Sequence, residues 1–220
     1  MNNQQPLIAI IGATGATGKY VLQGALERGY AIRVLARTPE KLSHLKEKVE
    51  IVKGSVDDVE AVKQLFEGVT VIISTLGTNK KPNYIVEKGV QTMLQAIHRL
   101  KNKPRFIHMS AVGLGNSIQQ CKNSWLWTFI VKVTFPLVGR EIFADMERAE
   151  QLIIADKHVK WVIARAAILD NKPSRGYITR LAHESTGKMF ISRQDIAEFM
   201  LTCVGDTSFD EKAISLFSAT

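Results

Sequence analysis

The sequence predicts an α/β fold, a doubly wound parallel sheet with helices on both faces, and three observations predict it. Short apolar runs alternate with amphipathic stretches along the chain, the pattern of strand–helix–strand units. The first apolar run leads directly into a glycine-rich turn, Ile11-Gly-Ala-Thr-Gly-Ala-Thr-Gly18, and then into a helix-like stretch. No internal repeat, low-complexity tract or linker divides the 220 residues, a length that suits one α/β domain and is short for two. Residues 1–220 are therefore expected to form a single domain.

The first strand is expected at residues 7–11, an unbroken apolar run suited to burial on both faces. A helix follows at 19–28, where Val21, Leu22, Ala25 and Leu26 share one face and Gly29 marks the stop. The second strand is placed at 31–36, followed by a helix at 39–48 and the third strand at 49–53. Acidic residues open the next helix, 57–66, where the positive end of the helix dipole favours them. The fourth strand at 69–74, a helix at 82–100, the fifth strand at 105–109, a helix at 142–155 and the sixth strand at 161–165 complete the series. Right-handed crossovers favour the order 3-2-1-4-5-6, a Rossmann-type sheet, here with a small C-terminal addition.

Composition narrows the function classes. Hydrophobic content of 45% and charged content of 23% fit an ordinary water-soluble domain. The net charge of +8 comes from scattered lysines and arginines with no basic stripe interleaved with aromatics, so no nucleic-acid partner is expected. A basic surface does help to attract a polyanionic ligand. Cys121 and Cys203 form no paired spacing, and the five histidines show no metal-ligand spacing, so neither a disulfide framework nor a metal site is expected. His108 reads as a packed or hydrogen-bonded core residue. The N-terminus has neither a basic region nor a long apolar one, and a cytoplasmic location is expected.

In a doubly wound sheet, ligands sit beyond the carboxyl ends of the strands, near the point where strand order reverses. That rule selects Gly12 to Gly18, Arg37-Thr38, Ser55-Val56, Thr75-Leu-Gly-Thr78, Ser110-Ala-Val-Gly113 and Ala166-Ala-Ile-Leu169. Glycines behind a strand and ahead of a helix let backbone N–H groups reach a pyrophosphate, and the helix start adds unpaired donors. The competing reading is an ordinary turn. NAD-selective sites usually place a carboxylate after the second strand; here stand Arg37 and Thr38, with Lys41 nearby. A guanidinium pairs with a 2′-phosphate, so NADP(H) is the expected cofactor, against the alternative of a solvated basic residue at a helix entrance.

The spacing Gly12-x-x-Gly15-x-x-Gly18 with Arg37 beyond the second strand resembles the extended and atypical short-chain dehydrogenase/reductases. Ser74-Thr-Leu-Gly-Thr78, Met109-Ser-Ala-Val-Gly113, Asp145-Met-Glu-Arg-Ala-Glu150, Ala167-Ile-Leu-Asp-Asn-Lys-Pro173 and Ile191-Ser-Arg-Gln-Asp-Ile-Ala197 are similar to segments of the NAD(P)-binding, NmrA-like branch. Within it the chain is most similar to the biliverdin-IXβ reductase/flavin reductase type. The resemblance implies NADP(H) binding through Gly12, Thr14, Gly15, Ala16, Thr17, Gly18, Arg37 and Thr38. It implies adenine contacts from Ser55 and Val56, and nicotinamide-side contacts near Leu76, Gly77 and Ser110. The chain departs from the pattern at three places. Ser55 stands for the usual acidic residue of the adenine turn, Arg165-Ala-Ala167 replaces Arg-Pro-Ala, and Glu147 stands where flavin-reductase relatives carry a histidine. The histidine's role is not carried over.

Short-chain dehydrogenases that reduce simple carbonyls use a Tyr-x-x-x-Lys pair on the helix after the fifth strand. Here Tyr84 and Lys88 match the letters but open the preceding helix, while Phe143 and Met146 stand on the expected one. An alcohol–ketone reaction needs a positioned proton donor. A flavin, quinone or tetrapyrrole spreads incoming charge through its own conjugation, so a shaped apolar slot and solvent protons suffice. The expected activity is hydride transfer from NADPH to such a small-molecule acceptor, with Ser110 orienting the acceptor or the carboxamide, or else capping the next turn. A non-catalytic NADP(H) sensor is the alternative, and an isomerase suffers most from the missing base. Asp145 and Glu150 read as helix-surface or loop-binding residues. The aromatic segment from Trp125 to Val138 is too short and too interrupted to span a membrane. Core packing, a pocket flap and a surface that touches lipid or another subunit compete; a flap with partial core burial ranks first and membrane contact last. Residues 112–140 and 166–190 are expected to border the substrate, and monomer and weak dimer both stay open.

Overall fold

The computed structural model describes residues 5–77, 84–121, 139–184 and 188–220. The expected aromatic flap therefore lies outside the described residues. Strands β1 (Leu7–Ile11), β2 (Ala31–Ala36), β3 (Glu50–Lys53), β4 (Val71–Ser74), β5 (Arg105–Ala111) and β6 (Trp161–Ala166) run parallel in the order 3-2-1-4-5-6. Among the described residues β10 (Lys212–Ser218) extends that sheet in parallel beside β6, and β8 (Tyr177–Arg180) closes its edge antiparallel. A separate two-stranded sheet joins β7 (Ile168–Asp170) to β9 (Phe190–Ser192). These last strands are the C-terminal addition.

Period-two alternation divides the strand residues between two apolar layers. Ile8, Ile10, Val34 and Ile73 face one layer, which α1 (Gly18–Glu27) and α6 (Arg193–Gly205) cover. Ala9, Ile11, Ile72 and Phe106 face the other, covered by α2 (Val59–Phe66), α3 (Ile85–His98) and α5 (Arg140–Ala155). Helix α1 buries Val21, Leu22 and Ala25, as its apolar face requires. Asp58 caps α2, its carboxylate accepting the N–H groups of Glu60 and Ala61 at 3.1 Å each. The short helix α4 (Ile118–Cys121) follows β5 through a turn of 3-10 helix.

Two expectations need correction. Residues 39–48 do not form an α-helix; Pro39–Leu45 wind as a tighter 3-10 helix. Only Leu42 of that segment is buried, which gives an α-helical stripe too few apolar anchors. Strand β5 continues past residue 109 to Ala111, because β6 also runs on and offers partners at Arg165 and Ala166. Ser110 thus stands inside the ladder rather than after it. Among the described residues no helix is long and apolar enough to cross a membrane, and no three His, Cys, Asp or Glu side chains gather as a metal site would require.

Candidate cofactor cleft

β1 pairs with β2 on one side and β4 on the other, so the segments leaving these strands diverge at the carboxyl edge of the sheet. The divergence opens a cleft of about 150 Å³. Gly12 and Thr14 form one wall, Arg37, Thr38 and Lys41 a second, and Ser55 and Val56 a third. Leu76, Gly77 and Ile85 close the fourth side. Eight of the expected cofactor-binding residues, and Lys41 beside them, therefore meet around one space.

The glycine turn is built for close approach. Gly12 holds φ at +84°, a backbone state that side chains disfavour, and a Cβ there would lie 2.7 Å from Thr75 Oγ1. A Cβ on Gly18 would lie 1.9 Å from the Gly12 carbonyl oxygen, so the helix start can fold back onto the turn only without one. Thr75, a residue given no separate role by sequence reasoning, braces the turn by donating its hydroxyl to the carbonyls of Ile11 and Gly12 at 3.2 and 3.3 Å. Thr17 precedes α1 without a side-chain cap bond, and the N–H groups of Lys19 and Tyr20 donate to the Gly15 and Thr17 carbonyls at 3.1 and 2.9 Å. Gly15 and Ala16 are exposed on the turn, whereas Thr17 and Gly18 are buried at the start of α1; none of these four lines the cleft.

Charge is arranged along the second and third walls. Arg37 and Lys41 are both exposed cations. The Ser55 hydroxyl bonds to the Asp57 carboxylate and holds it below the usual carboxylate range, with its own backbone N–H, Lys88 and Arg37 pulling the same way. The residues fit a phosphorylated dinucleotide: a glycine cradle, an uncapped helix start and two cations beyond β2.

Ser110 is not on the cleft wall. It is 2% exposed, and its hydroxyl has no hydrogen-bond partner among the described residues. His108, two residues earlier on the same strand face, is fully buried and packs against Phe106 with ring centroids 5.8 Å apart. Neither ring nitrogen has a hydrogen-bond partner among the described residues, and burial pushes the imidazole down to about 4. Among the described residues, His108 is packed but not hydrogen-bonded.

The facing helix α5 contains no tyrosine and no lysine. Two of its charged residues, Asp145 and Glu150, are buried, which corrects the helix-surface alternative of their reading. Glu150 is buried and grips buried Arg165 through both carboxylate oxygens, at 3.0 Å to Nε and 2.6 Å to Nη2. Arg165 reaches Asn116 at 2.7 Å with its remaining arm. Asp145, also buried, accepts the backbone N–H groups of Val86 and Glu87. Tyr84 and Lys88 stand at the start of α3, with Tyr84 exposed beneath Arg148. A second groove of about 440 Å³ runs beside α5, where Gly115 and Asn116 meet Arg165, Leu181 and His183.

A family model described as NAD(P)H-binding matches residues 12–207. The chain is 23% identical to oxidoreductase GME11367 of Pestalotiopsis microspora, over 96% of this chain and 85% of that protein. Among solved structures it resembles a short-chain dehydrogenase/reductase from Veillonella parvula in complex with NADP (TM-score 0.78, 18% identity, 97% of this chain and 95% of that one). It also resembles ChuY, an anaerobillin reductase from Escherichia coli O157:H7 (TM-score 0.76, 18% identity, 97% of each chain). At these identities the two structural likenesses establish the fold.

Proposed function

The chain belongs to the NAD(P)H-binding family, and from that premise we propose that it is an NADPH-dependent reductase of a planar conjugated acceptor such as a flavin, quinone or tetrapyrrole. The observation that carries this reading is the pairing of a dinucleotide cleft with a helix, α5, that offers no tyrosine or lysine. A simple ketone leaves an alkoxide that needs a positioned proton donor, whereas a conjugated acceptor delocalises the charge and takes its proton from solvent. The description of ChuY as an anaerobillin reductase supports the same acceptor class.

When bound, NADPH supplies the hydride. In this reading the turn Gly12, Thr14, Gly15 and Ala16, with Thr17 and Gly18 at the helix start, holds the pyrophosphate through backbone N–H groups. Arg37 and Thr38, helped by Lys41, bind the 2′-phosphate, and Ser55 and Val56 flank the adenine. Leu76 and Gly77 support the nicotinamide half. Ser110 orients the acceptor or the carboxamide, a role supported by its hydroxyl having no hydrogen-bond partner among the described residues. Segments 112–140 and 166–190 border the acceptor in this reading, which the meeting of Gly115 and Asn116 with Leu181 and His183 on the second groove supports.

The missing pair equally supports a protein that binds NADP(H) without turnover, and one assay separates the two readings. NADPH oxidation is followed by absorbance with FMN, riboflavin and small quinones offered separately, and NADH is run in parallel. Consumption of NADPH with at least one acceptor, and much slower consumption of NADH, is the expected result. Tight NADPH binding without consumption across the panel would replace the reductase with a cofactor-binding regulatory protein.

A further inference from the structure

Helix α3 starts in an unusual way. Its N-cap position is Tyr84, a non-glycine residue at φ +50°, which supplies no side-chain cap. Val86 is fully buried in the first turn, so water does not serve its N–H. The missing acceptor comes from another helix. Asp145 on α5 is 1% exposed, and its Oδ2 and Oδ1 accept the N–H groups of Val86 and Glu87 at 3.2 and 2.9 Å. A carboxylate at this end also matches the helix dipole.

One turn further along α5, Arg148 repeats the grip. Its Nε meets Glu87 Oε2 at 2.6 Å, and its guanidinium lies over the Tyr84 ring at 5.3 Å from the centroid. Two neighbouring residues of α5 therefore hold Tyr84, Val86 and Glu87. The residue between them, Ile85, lines the cofactor cleft beside Leu76 and Gly77. A left-handed tyrosine persists only where its surroundings over-determine it, and this clamp is what does so.

We propose that Asp145 and Arg148 are positioning residues: by clamping the start of α3 they set the cleft wall at Ile85, and with it the affinity for the nicotinamide half of the cofactor. The inference rests on the proposed orientation of NADPH in the cleft. It predicts an effect confined to one end of the ligand. The Arg37 end is fixed by β2 and its following turn, which the clamp does not touch.

The test compares NADPH with 2′,5′-ADP, which carries the adenosine end alone, by titration calorimetry on wild type, Asp145→Asn and Arg148→Met. Asparagine keeps the shape but replaces one accepting oxygen with a donor. Arg148→Met keeps most of the side-chain bulk and reports even where Asp145→Asn fails to fold. The expected result is a loss of about fivefold to tenfold in NADPH affinity, the scale of a lost helix cap, with 2′,5′-ADP affinity unchanged. Asp145→Glu, which keeps the charge, should recover part of the loss. Equal losses for both ligands, or no loss for either, overturn the clamp while leaving the cofactor reading intact. A wild-type protein that binds 2′,5′-ADP and NADPH with equal affinity overturns the placement of the nicotinamide half and this inference with it.

Discussion

Arg37 leaves β2 onto the cleft wall beside Thr38 and Lys41, and the acid that feels its charge, Asp57, is engaged by Ser55. A guanidinium in that place favours a 2′-phosphate over a free hydroxyl. Arg37→Ala should weaken NADPH by about tenfold to a hundredfold, the worth of charged hydrogen bonds, while leaving NADH within about twofold. Titrating both nucleotides checks this, and equal losses would contradict the assignment of selectivity to Arg37. His108 offers a second test. Its buried imidazole is pushed down from 6.5 to about 4, so above pH 6.5 it is neutral in folded and unfolded chains alike. Between those values the unfolded chain takes up a proton that the folded chain refuses. Stability should therefore fall as pH falls through that window, by about 2 kcal/mol from pH 7 to pH 5 from this residue alone. Urea unfolding of wild type and His108→Leu at both pH values measures the difference; identical losses in the two proteins would contradict it. The glycine turn, Arg37 and Ser55 were legible because each follows a strand by a fixed step. Thr75 was not, since its role depends on contact with a turn 63 residues earlier in the chain.

At the scale of elements, α5 shows why charged residues mislead. Asp145, Ala149 and Ile153 fall on one stripe, and all three are buried. Acidic letters on a helix read as solvent-facing unless their partners are known, and here the partners belong to α3 and β6. Glu150 and Arg165 are each only 2% exposed. Removing one member of such a pair leaves the other charge buried and unpaired, so Glu150→Ala should cost about 3–5 kcal/mol in chemical denaturation. Adding Arg165→Met to Glu150→Ala should restore much of that loss; a double variant no more stable than the single one would contradict the pairing argument. Helix α2 and the strands of the parallel sheet came through sequence reading with small shifts at their ends, because a dense apolar period fixes them. Residues Pro39–Leu45 did not, because a single buried leucine leaves the backbone free to wind more tightly.

For the molecule as a whole, the order 3-2-1-4-5-6 follows from alternating strands and helices joined by right-handed crossovers. The cleft then follows from that order, since the reversal at β1 and β4 opens the carboxyl edge beside the glycine turn. The C-terminal strands were legible only as an addition. β7 and β9 have three residues each, too few for a period, and β8 is half-exposed along its length. The sequence by itself determined the sheet, the glycine cradle and the cation beyond β2, because local period and spacing encode strands, turns and what immediately follows them. Only the tertiary structure decided that Ser110 is buried, that Asp145 caps a helix other than its own, and that Glu150 grips Arg165. These depend on which faces of distant elements meet, and the burial of a polar group is a property of the meeting rather than of the residue.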